Sequence, residues 1–152
     1  MKKARAKILY LPDYDRSWGD VAYAHPDDSG IDARACEGAV LRPLERAAIP
    51  LGFKLAPEPG YGCTLRPRSG NALNLGLGFA NSVGTIDGGY RGELKAIAVN
   101  LSNETIVIER GMKIAQIVVE PVVQFELAEA QSESELEESS RGAGGFGSTG
   151  IK

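Results

Sequence analysis

Asn81-Ser-Val-Gly-Thr-Ile-Asp-Gly-Gly-Tyr-Arg-Gly-Glu-Leu94 is the stretch on which the rest of the chain depends. Asp87-Gly88-Gly89 stands between short apolar segments, and two adjacent glycines allow positive φ at both central positions of a tight turn. The pattern predicts a β-hairpin. An acid enters that turn and a tyrosine leaves it, so Asp87 and Tyr90 are expected close together, with backbone N–H and C=O groups free for a flat ligand. A carboxylate held beside an aromatic ring suits a site that positions a water next to a stacked substrate. By itself the same stretch also reads as a surface hairpin with a solvated Asp, because Asp-Gly is common in turns.

Outward from this stretch the chain keeps a β character. Residues 3–11 alternate loosely and end at Pro12. Gly30–Ala35 begins a strand with Asp32 on one face. Segments 38–43, 45–56 and 61–66 are short strands interrupted by prolines, and 57–60 (Pro-Glu-Pro-Gly) is a turn. Pro67-Arg-Ser-Gly70 leads into a short helix that Ser69 is expected to cap, with Arg68 and free N–H groups as an anion cradle. Residues 93–101, 105–109 and 113–123 are further strands. Gln116 interrupts the last, either as a satisfied core amide or as a group aimed at a site. Short, regularly spaced strands with almost no helical period predict an all-β fold, a barrel or sandwich of jelly-roll type.

Composition bounds the function. The 152 residues suffice for one core, and 43% apolar with 24% charged is usual for a globular domain. Two cysteines and one histidine, far apart, argue against zinc. Both thiols read as small packed or semi-exposed residues of a reducing, cytoplasmic setting. No apolar run suits a signal peptide or a membrane span. The net charge is −3, yet six glutamates fall between 126 and 138, where no Lys or Arg stands. Setting them aside leaves 14 acids against 17 bases. A mildly basic body suits a small anionic ligand; nucleic acid requires a concentrated basic stripe.

Residues 13–30 read as an exposed loop with Trp18 folded onto the body; a partner-binding loop is the other reading. His25, beside Pro26-Asp27-Asp28, reads as a solvated turn residue. The chain divides into a β domain over 1–125, an acidic, mobile linker over 126–140 and a Gly-rich arm over 141–152. In Arg141-Gly-Ala-Gly-Gly-Phe-Gly-Ser-Thr-Gly150, converging N–H groups suit phosphate oxygens. Arg141 adds charge, Phe146 a stacking face, and Ser148 and Thr149 donors. Ser148 stands where a Walker A lysine would, so no P-loop is expected.

Five segments, in order, resemble the five motifs of the homotrimeric dUTPase family. They are Gly30–Ala35, Pro67–Gly70, Gly84–Leu94, Arg110-Gly-Met-Lys-Ile-Ala-Gln116 and Arg141–Gly150. The resemblance implies a distorted jelly-roll barrel with a flexible Gly-rich C-terminal arm, assembled as a homotrimer with shared active sites. It implies hydrolysis of dUTP to dUMP and pyrophosphate. Asp87 would activate the attacking water, and Tyr90 would stack beneath the deoxyribose. Asn81 and the backbone near Gly84, Thr85, Ile86 and Lys95 would read uracil. Arg68, Ser69 and Gly70 would hold phosphates from another subunit, Gln116 would help orient the α-phosphate and the water, and Asp32 would steer a hydrated Mg²⁺ through water. Arg141, Phe146, Gly147, Ser148 and Thr149 would close over the nucleotide. Asn71 follows the second motif where Leu or Ser is commoner in the family, a departure expected to alter little. A dCTP deaminase of the same fold and a dUTPase-like regulatory binding protein, with the 13–30 loop on a partner, are the alternatives.

Overall fold

A computed structural model describes residues 3–136, 139 and 142–144. Eleven strands and one short α-helix make up the described fold. The strands are β1 (Ala6–Tyr10), β2 (Gly30–Arg34), β3 (Ala39–Leu41), β4 (Arg46–Pro50), β5 (Phe53–Pro57), β6 (Tyr61–Pro67), β7 (Leu77–Phe79), β8 (Gly84–Ile86), β9 (Lys95–Asn100), β10 (Ile106–Ile108) and β11 (Lys113–Pro121). The helix α1, Ser69–Leu75, lies between β6 and β7. Every strand pair is antiparallel, in the orders β2-β11-β6-β8, β4-β9-β7, β1-β5 and β10-β3. These short sheets wrap one core, as a jelly roll does.

The strand period decides what the core holds. In β9 Ala96, Ala98 and Asn100 point inward, while Lys95 and Ile97 point out; in β10 Ile106 and Ile108 are buried around an exposed Val107. Alanines at 33, 35, 96, 98 and 115 let the sheets approach Phe53, Leu51, Ile114 and Ile117. Asn100 is fully buried but satisfied: Nδ2 donates to the carbonyls of Leu41 (2.8 Å) and Glu104 (2.7 Å), and Oδ1 accepts from Ser102. That bonding fixes the turn from β9 to β10. Both cysteines are buried and free, and burial pushes each thiol up to about 11.

The 13–30 loop is tied down over its first half. Tyr10, Tyr14 and Trp18 stack in sequence, with ring centroids 4.6 and 5.5 Å apart. Arg110 lies over Trp18 and donates to the Asp13 carbonyl at 2.7 Å. Trp18 is folded onto the body, as the sequence implies. Beyond β11, the chain from Pro121 to Leu136 is exposed and carries one 3₁₀ turn, Glu133–Glu135. Among the described residues no helix is long and apolar enough to cross a membrane.

Candidate active site

The expected site residues gather in two groups. The first lies on the outward face of β2-β11-β6. Strand register sets Asp32, Gln116 and Arg66 side by side in one row. Arg68, just past the end of β6, turns back to the row: its Nε is 2.8 Å from the Asp32 carboxylate. Lys113 Nζ reaches the same carboxylate at 2.9 Å. Two cations around one half-buried acid leave this corner net positive and suited to an anion.

Gln116 is a satisfied amide and also faces the site. Its Nε2 donates to the Pro67 carbonyl at 3.0 Å, and a Cβ at Gly30 would collide with its Oε1. Ser69 and Gly70 are the exposed first residues of α1. Ser69 does not cap the helix. Arg68 holds the N-cap position with no side-chain capping bond, because Ser69 already sits inside the first turn. Asn71 Nδ2 donates to the Lys113 carbonyl at 2.8 Å.

The second group lies between β8 and β9. Asp87 is exposed, and its carbonyl accepts the Tyr90 N–H at 2.9 Å, closing a turn. Arg91 Nη1 braces that turn by donating to the carbonyls of Gly88 and Tyr90, both at 2.8 Å. Tyr90 folds back so that its hydroxyl donates to the Glu93 carbonyl at 3.1 Å. Asn81 rests its amide against Gly84, and Thr85 and Ile86 lie opposite Thr64 and Cys63 of β6. Lys95 opens β9.

The turn is not the hairpin that the glycines suggest. β8 pairs with β6, whereas β9 pairs with β4 and β7, so the strands flanking the turn enter different sheets. Neither Gly88 nor Gly89 adopts positive φ. Gly88 is required for a different reason: a Cβ there would stand 2.6 Å from the Tyr61 carbonyl oxygen.

This contact also sets the Asp87 turn apart from Arg68. Gly88 lies against Tyr61, the first residue of β6, and Arg68 follows Pro67, the last. Seven residues of strand span roughly 20 Å. Among the described residues no hydrogen bond or ion pair joins the groups within the chain. A cleft of about 870 Å³ runs beside Thr85–Gly89, but its other walls are Pro57–Thr64 and Glu120–Gln124. A recess of about 190 Å³ joins Asp32, Arg34 and Lys113 to Tyr14, Trp18 and Asp20–Ala24. The long loop therefore walls the charged corner.

Arg141, Phe146, Gly147, Ser148 and Thr149 lie outside the described residues. Lys113 and Arg66 escaped the sequence reading. Both are cations in strands, and only register shows that they share a face with Asp32 and Gln116.

Among the described residues no cluster of three or more His, Cys, Asp or Glu side chains could cage a metal. Asp32 is a single carboxylate in a cationic corner. That donor set fits a Mg²⁺ held mostly by water and phosphate oxygens, and not an all-protein site.

Comparison with known proteins agrees with the fold. A family model described as dUTPase matches residues 16–150. The deoxyuridine 5'-triphosphate nucleotidohydrolase of Clostridium kluyveri is 46% identical over 128 residues, covering 84% of this chain and 87% of that protein. The Staphylococcus bacteriophage 80alpha dUTPase, solved with dUPNHPP, superposes with a TM-score of 0.84 at 26% identity, over 97% of this chain and 99% of the other. A variant dUTPase from phage phi11 of S. aureus, described with a structural Mg(II) ion, has a TM-score of 0.75 at 24% identity, over 84% and 97%. On the length of the match and the shared jelly roll, the chain belongs to the dUTPase family.

Proposed function

We propose that the protein hydrolyses dUTP to dUMP and pyrophosphate, at sites completed between copies of the chain in a homotrimer. The observation that carries this reading is the length of β6, roughly 20 Å, between the Asp87 turn at one end and Arg68 at the other. Each group supplies half of what the reaction needs, and a neighbouring copy would bring the second half to the nucleotide.

In this reading Asp32, Arg68, Lys113 and Gln116 of one chain face the triphosphate, with Ser69 and Gly70 beside them. Asp87 and Tyr90 of a neighbouring chain face the nucleoside, and Asn81, Gly84, Thr85, Ile86 and Lys95 frame the uracil edge. Asp87 accepts a proton from water as its oxygen bonds to the α-phosphorus. The bond from that phosphorus to the bridging oxygen breaks, and pyrophosphate leaves. Arg68 and Lys113 offset the charge that develops on the leaving group. Asp32 would hold a Mg²⁺ through its water shell, and the ion would neutralise part of the triphosphate charge. Arg141, Phe146, Gly147, Ser148 and Thr149 close over the nucleotide and exclude bulk water. A tight frame around uracil rejects the thymine methyl by shape and cytosine by hydrogen bonding.

The test is pyrophosphate release from each deoxynucleoside triphosphate, with and without magnesium, alongside the mass of the assembly in solution. Release confined to dUTP, from a trimer, is expected. Ammonia release from dCTP, or full activity of a monomer, overturns the reading.

A further inference from the structure

Tyr90 owes its place to one residue that the family motifs leave without a role. The tyrosine doubles back over Gly92, where any Cβ would collide with its ring and hydroxyl, and ends on the Glu93 carbonyl at 3.1 Å. Glu93 is anchored in turn. Its side chain is 18% exposed, and Oε1 accepts the N–H of buried Gly52 at 3.1 Å. The neighbouring backbone is stitched to the same β4–β5 turn: Leu94 N–H donates to the Phe53 carbonyl, and Leu51 N–H to the Leu94 carbonyl, each at 3.0 Å. The second carboxylate oxygen lies 3.8 Å from Lys95 Nζ. Gly52 has φ +76° and no room for a Cβ beside Cys36, so the turn offers this N–H from a fixed position.

From this geometry we infer that Glu93 is a positioning residue that sets the plane of Tyr90, and so the selection of deoxyribose over ribose. The inference rests on the dUTPase reading for its substrate. The bonding explains why an acid stands here. Only a side chain with an acceptor at this reach satisfies the Gly52 N–H, and the chain direction at Glu93 then fixes the carbonyl that holds the tyrosine.

The test compares Glu93→Ala and Glu93→Gln in the full-length protein. Glutamine keeps the acceptor for Gly52 and loses only the loose pair with Lys95. Initial rates with dUTP and UTP are measured for each, and Tyr90 nitration by tetranitromethane is followed by peptide mass without nucleotide. Glu93→Ala is expected to lower the dUTP-to-UTP ratio of kcat/KM on the order of 10-fold and to speed Tyr90 nitration. Glu93→Gln is expected to retain both values. A folded Glu93→Ala protein with unchanged nitration and unchanged sugar selection overturns the inference. Loss of both in Glu93→Gln also overturns it, because charge and not the Gly52 bond would then be responsible. If the unsubstituted protein releases no pyrophosphate from dUTP, the functional reading fails, and nitration alone decides the role of Glu93.

Discussion

Arg68 meets Asp32 with Nε 2.8 Å from the carboxylate, joining the loop after β6 to the middle of β2. The pair is about a quarter to a third exposed, so its contribution to folding is small, roughly 1 kcal/mol or less. Its consequence lies in aim. Without the carboxylate, Arg68 and Lys113 repel each other and swing apart.

Asp32→Asn is therefore expected to leave the urea midpoint nearly unchanged while lowering kcat/KM for dUTP at least ~10-fold. The magnesium concentration at half-maximal rate should rise. Steady-state kinetics over a magnesium titration, with urea unfolding in parallel, measure both.

Asp87 projects from an exposed turn braced by Arg91 and makes no side-chain bond that the fold requires. Asp87→Asn should reduce kcat by about 10²–10⁴-fold. Calorimetric titration with a non-hydrolysable dUTP analogue should still show binding. Retained turnover removes Asp87 from the role of base.

Gly30 faces the Gln116 amide with no room for a Cβ. The obstructing atom is the end of a side chain, so Gly30→Ala should displace Gln116 and spare the fold. Activity should drop about 10-fold or more, with a small change in melting temperature. A second substitution, Gln116→Ala, should make the first one silent, and a double-mutant cycle reads that coupling.

The buried thiols give a pH dependence with a definite sign. Cys36 and Cys63 are raised from 9.0 to about 11 by burial. Below pH 9 both states keep their protons and stability is unaffected. Between about 9 and 11 the unfolded chain ionises its thiols while the folded chain does not, so stability falls as pH rises. The urea midpoint should decline through that window. A Cys36→Ala, Cys63→Ala protein should start from a lower midpoint and decline less steeply.

Much of this fold is written in its alternation. The inward Ala96, Ala98 and Asn100 of β9 and the Ile106–Ile108 pair of β10 follow a period of two that any reader of the chain can find. The prolines and glycines mark where strands stop. Pairing partners are harder, because register across a jelly roll joins segments far apart in sequence. Asp87-Gly88-Gly89 shows the difficulty: its local chemistry suggests a hairpin, while tertiary packing sends β8 to β6 and β9 to β4 and β7. Ser69 shows the same problem at shorter range, where a shift of one position puts the N-cap at Arg68 and Ser69 inside the helix. Lys113 was hidden for a different reason. A lysine at a strand start has no local signature, and only the fold brings it to Asp32.

With the site shared between copies as proposed, the ~20 Å of β6 between the Asp87 turn and Arg68 has a genetic reading. Two crippled alleles, one lesioned at Asp32 and the other at Asp87, would not have to fail together. In a mixed assembly some junctions pair the sound half of one polypeptide with the sound half of the other. Co-expressed defective copies should then recover part of the turnover that neither shows alone, a rescue that a self-contained subunit could never display.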